Sequence, residues 1–100
     1  MPASWDDLKG TRLEAMSDAE RAEYERAYAA AALAAEVGER VRAAREAAGL
    51  SQRELARRMG TSQAAVDRLE SGGVGATLTT LQRVATALGL EVSIELRRSA

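Results

Sequence analysis

Apolar positions recur along most of this chain at the three- and four-residue spacings of a helix. Val37, Val41, Ala44 and Ala48 share one helical face. Leu55, Ala56 and Met59 form a second, shorter set, and Ala65, Val66 and Leu69 a third. Leu78, Leu81, Val84, Ala85 and Leu88 form a fourth. Glycines punctuate these sets. Gly49 ends the first, Gly60 is placed as a left-handed C-cap of the second, Gly72-Gly73-Val74-Gly75 forms a loop after the third, and Gly89 closes the fourth. Ser51-Gln52-Arg53-Glu54 reads as a capping box, and Ser62 caps a helix running from Gln63 to about Ser71. With Thr61-Ser62 as the turn, the middle of the chain reads helix, tight turn, helix. Upstream, Ser17-Asp18-Ala19-Glu20 is another capping box, opening an Ala- and Glu-rich helix to about Ala35. Gly38 is expected to kink or divide that helix from the next. The period changes only at Leu90-Glu91-Val92-Ser93-Ile94-Glu95-Leu96-Arg97, whose strict alternation predicts a half-buried strand.

Composition agrees with an all-α class. The chain has 100 residues and 46% hydrophobic content, enough for one modest core, with no Phe and a single Trp. The expected division is an acidic helical segment over 1–38, a four-helix domain over 39–89, and a C-terminal strand and tail over 90–100. The longest uncharged apolar run, Ala27 to Ala35, is far shorter than the ~20 residues of a membrane span. No basic-then-apolar leader pattern opens the chain, so the expected location is the cytoplasm.

A net charge of −1 hides an asymmetry. Residues 1–38 carry eight acids against four bases, a net of −4, whereas residues 39–100 carry ten arginines against seven acids, a net of +3. The basic part suits phosphates, and the acidic part suits a basic protein partner. The chain contains neither Cys nor His. Nucleophilic, general-base and metal-ligand arrangements would therefore rest on carboxylates, Tyr and hydroxyls, and no cluster of these converges in the sequence. No enzyme activity, metal or cofactor is expected.

Leu50-Ser51-Gln52-Arg53-Glu54-Leu55-Ala56, then Gly60-Thr61-Ser62-Gln63, then Leu69-Glu70-Ser71-Gly72 resemble the Xre/Cro family of helix-turn-helix regulators. The resemblance implies a lambda-repressor-like bundle with an N-terminal helical extension. More narrowly, the chain resembles Xre-type antitoxins of type II toxin–antitoxin modules, through Trp5-Asp6-Asp7-Leu8-Lys9 and Arg21-Ala22-Glu23-Tyr24 ahead of the helical domain. The expected function is then a DNA-binding antitoxin that neutralises a RelE/HigB-like ribonuclease and represses its own operon. The alternative is a stand-alone Xre-type regulator.

In this family the third helix of the domain enters the major groove, which carries base reading onto Gln63, Ala64, Asp67 and Arg68. Gln63 can bind adenine and Arg68 guanine, each bidentately, and Ala64 can touch a thymine methyl. Asp67 either accepts from a cytosine amino group or lies off the base edges and weakens non-specific binding by repelling phosphates. Gln52, Arg53, Thr61 and Ser62 sit where amides and short polar side chains can hold backbone phosphate. Arg45 and Glu70 match family positions that form a structural ion pair. The loop from Gly72 to Ala76 lacks the basic residues of the phage repressors.

A lone strand leaves backbone groups unpaired, so Val92, Ile94 and Leu96 are expected to pair in an antiparallel homodimer. Such a dimer would read a pseudo-palindromic operator in double-stranded DNA. Pairing with the N-terminal arm, or simple docking on the domain, are the alternatives. Trp5, Leu8, Tyr24 and Tyr28 are candidate partner-binding residues in an acidic setting, intramolecular packing being the alternative for each.

Overall fold

The computed structural model of the chain describes residues 14–99. Those residues contain four complete helices: α1 (Asp18–Ala47), α2 (Gln52–Met59), α3 (Gln63–Gly72) and α4 (Leu78–Leu88). Contacts group the chain into two units that meet in sequence between Ala32 and Leu33, within α1.

The start of α1 is fixed by its capping box. Ser17 Oγ accepts the Glu20 amide at 3.1 Å, and the Ser17 amide donates to the Glu20 carboxylate at 3.4 Å. Asp18 and Glu20 lie in the first turn and Arg45 in the last, as the helix dipole favours. Within the first unit Tyr24 and Tyr28 stack, with ring centroids 6.4 Å apart.

Contrary to the expected kink or division, α1 runs unbroken through Gly38. The reason is spatial. Gly38 is buried, and a Cβ there would lie 2.5 Å from the Leu69 carbonyl oxygen and 2.9 Å from that of Glu70. Glycine is needed because the α1 backbone crosses the end of α3 at direct contact, which offsets its helix cost of ~1 kcal/mol. Gly73, the left-handed C-cap of α3 at φ 71°, meets the Ala34 backbone in the same closeness. Two glycines thus press α1 against the end of α3.

Eight residues make α2 too short to persist alone, so packing must hold it. Leu55, Ala56 and Met59 provide that packing. Leu55 and Val66 are fully buried at the centre of a core completed by Val41, Leu69 and Val84, with Leu81 and Leu88 against its edge. Ser51 caps α2 by accepting from the Glu54 amide at 3.1 Å. The second arm of this box departs from the reciprocal pattern, because the Ser51 hydroxyl donates to the Glu54 carboxylate at 3.3 Å.

The strand expected over Leu90–Arg97 is not formed; among the described residues there is no strand at all. An alternating segment needs a second strand to complete a ladder, and the single chain supplies none. The segment instead leaves α4 through Leu90, whose amide donates to the Ala85 carbonyl at 2.8 Å. It then follows a shallow apolar groove with Val37 and Val41 of α1 on one wall and Leu81 and Val84 of α4 on the other. Val92 is 38% exposed, Ile94 65% and Leu96 95%, so the cover thins toward the end.

Candidate nucleic-acid interface

The α2–turn–α3 unit is set by hydroxyl caps. Gly60 ends α2 at φ 71°, and Thr61 leads into Ser62, whose Oγ accepts the Ala65 amide at 3.1 Å and starts α3. Helical spacing then sorts α3 into two sides. Val66 and Leu69 are buried, with Ala65 half-buried, whereas Gln63, Ala64, Asp67 and Arg68 are all exposed on the other side. A row of one amide, one methyl, one carboxylate and one guanidinium therefore faces outward.

The inner side of α3 is anchored by Glu70, the one buried charged residue among the described residues. Arg45 Nε donates to Glu70 Oε2 at 2.7 Å and Nη2 to Oε1 at 2.9 Å, while Nη1 donates to the Leu50 carbonyl at 2.8 Å. Gln52 Nε2 donates to Glu70 Oε1 at 3.1 Å and to Asp67 Oδ1 at 3.3 Å. Burial pushes the Glu70 carboxyl up, but the hydrogen bonds from Arg45 and Gln52 and the adjacent charge of Arg45 outweigh it and hold it below its ordinary value. The Glu70 bond raises Arg45 further still.

This network alters the picture of two residues singled out for DNA. Both amide hydrogens of Gln52 are directed at carboxylates, so a phosphate at Gln52 would have to displace one of these bonds. Asp67 is drawn toward α2 by Gln52. Arg53 is exposed at the start of α2, Thr61 is half-buried in the turn, and Ser62 is exposed while capping. Trp5 and Leu8 lie outside the described residues. Tyr24 is half-buried and Tyr28 is 60% exposed.

Arginine pairing separates the helices. On α1, Arg26, Arg40 and Arg42 each pair with a glutamate of the same helix. Among the described residues, Arg53, Arg57 and Arg58 of α2, Arg68 of α3 and Arg83 of α4 are exposed and make no ion pair. The uncompensated positive charge of the domain is thus carried by α2, α3 and α4. Arg57, Arg58 and Arg83 escape a reading by motif. Their signal is the missing counter-charge: no acid stands three or four residues from Arg68 or Arg83, and Glu54, three before Arg57 and four before Arg58, is engaged in the α2 cap.

Among the described residues there is no group of metal-ligating side chains, and no helix is long and apolar enough to cross a membrane. The family model HTH_3, a helix-turn-helix, matches residues 41–94, more than half of the chain. No curated protein matches it.

Proposed function

Because the chain belongs to the Xre-like helix-turn-helix family of DNA-binding regulators, we propose that it is a sequence-specific repressor that places α3 in the major groove. The observation that carries this reading is the exposed row Gln63, Ala64 and Arg68 on a helix flanked by unpaired arginines. Gln63 and Arg68 would read bases, and Ala64 would pack against a thymine methyl. Asp67, drawn toward α2 by Gln52, would stand off the base edges. Arg53, Thr61 and Ser62 would position the helix on backbone phosphates. The test is a gel shift on DNA upstream of the chain's own coding sequence, with Gln63→Ala/Arg68→Ala as the comparison. Loss of specific binding in the double variant supports the reading, and retained binding overturns it.

The proposed operator-bound form is a homodimer joined through Val92, Ile94 and Leu96. Their alternation, and the exposure of Ile94 and Leu96 in the single chain, support this assignment. Sedimentation showing a monomer at micromolar concentration would count against it.

We further read residues 1–38 as a segment that binds a basic, ribonuclease-type toxin, making the protein an antitoxin acting in the cytoplasm. Their net charge of −4 and the Tyr24–Tyr28 pair support this role. Co-purification with a small basic ribonuclease encoded next to it tests the reading. A lone regulator with no such neighbour is the competing outcome.

A further inference from the structure

Arg68 and Arg83 line one cleft, formed where the end of the α2–α3 turn and α3 face α4, together with Met59, Thr61, Val74 and Thr80. Arg83 also lines a second, adjoining cleft with Arg58 and Gln82. No acidic residue lines either. Arg58, Arg83 and Arg68 therefore form an arc of three exposed cations from three different helices, without a carboxylate to satisfy any of them. The first cleft holds a neutral donor as well. The Thr77 hydroxyl donates to Thr80 Oγ1 at 2.9 Å, and Thr80 carries a hydroxyl that can itself donate.

Guanidinium forks and a hydroxyl donor match the oxygens of a phosphodiester. Neither cleft is lined by an aromatic residue that could stack a base. Arg83 projects from α4, outside the exposed row of α3. We propose that Arg83, flanked by Arg68 and Arg58, binds the DNA backbone beside α3. This inference rests on the DNA-binding reading above and adds a backbone contact to it.

The experiment is a salt titration of binding by the full chain, between about 50 and 200 mM, on the upstream duplex and on an unrelated duplex. Arg83→Gln, Arg58→Gln and Arg83→Lys are compared with the parent. Each Gln variant is expected to flatten the slope of log K against log salt by about 0.9, and to weaken both duplexes by the same factor. Arg83→Lys is expected to keep the slope, because the charge remains. An unaltered thermal midpoint for Arg83→Gln is expected at this exposed position. An unchanged slope in Arg83→Gln while the parent binds specifically overturns this inference alone. So does a loss confined to the upstream duplex, which would make Arg83 a support for Arg68. Failure of the parent to prefer the upstream duplex overturns the DNA-reading assignment of α3 as well.

Discussion

Arg45 reaches Glu70 across 25 residues of sequence with two donors and spends a third on the Leu50 carbonyl, so one side chain joins α1, the turn before α2 and α3. Gln52 adds a second donor side chain from α2 to the same carboxylate. Helix α3 is therefore oriented from behind by a charged clamp, and Gln63, Ala64 and Arg68 take no part in it.

The clamp has a pH signature. The folded Glu70 carboxyl lies below its ordinary value, so the unfolded chain binds the proton more readily and stability rises with pH through that interval. The contribution is complete above the unfolded value of ~4.3 and is lost as pH falls through the lower folded value. Glu70→Gln should cost about 3 kcal/mol at neutral pH by stranding Arg45, and the gap from the parent should narrow on acidification. Urea denaturation from pH 7 down to pH 3 measures both; a gap that stays constant would mean that Glu70 is not the titrating group.

Two glycines should respond in opposite directions. Gly38→Ala puts a Cβ under 3 Å from two backbone carbonyls, which cannot yield without moving α3. The expected loss is about 1–3 kcal/mol despite the better helix propensity of alanine. Gly72 ends α3 with nothing within 4 Å of its Cβ position and without a positive φ. Gly72→Ala should be neutral or stabilising by up to about 1 kcal/mol. Thermal melts of both variants decide the pair.

How much of this was legible in the sequence follows from how local each feature is. Ser17, Ser51 and Ser62 cap the helices that open after them because a cap is a contact over three residues, which a sequence displays directly. The continuity of α1 was not legible: propensity records what Gly38 costs its own helix, and the compensating neighbour, Leu69, is 31 positions away. The alternating tail forms no strand in the single chain for a related reason, since alternation describes two faces and says nothing about where a partner strand comes from. In the candidate site, the exposed row of α3 follows from helical spacing. The bonds of Gln52 to Asp67 and Glu70 span 15 and 18 residues and needed the fold. The lack of an acid three or four residues from Arg83 is visible in the sequence, but its place beside Arg68 and Arg58 needed the fold.

Core truncation should destabilise the α2–turn–α3 unit. Leu55 is fully buried and touches the centre of the cluster formed with Val66 and Leu69. Leu55→Ala is expected to cost about 2–5 kcal/mol, lowering the midpoint by roughly 10 °C or more. Circular dichroism melts test this, and a shift of only a degree or two would contradict the assigned core.

Asp67 offers a functional check that does not depend on the operator sequence. If it stands off the bases and repels phosphates, Asp67→Asn should tighten binding to unrelated duplex about twofold, the worth of one exposed charge pair at ~0.5 kcal/mol. Fluorescence anisotropy at low salt measures it. A loss of affinity confined to the upstream duplex would instead make Asp67 a base reader.

The contact between α1 and the end of α3 also governs which changes in chain length the protein can tolerate. Ala34, Gly38, Val41 and Arg45 must all face the same neighbours, and each residue added to a helix turns what precedes it by about 100°. A single insertion between Ala34 and Gly38 would swing Ala34 off Gly73, and one between Gly38 and Arg45 would separate the glycine contact from the clamp. Over that stretch the chain can exchange exposed side chains freely, but it cannot gain or lose a residue.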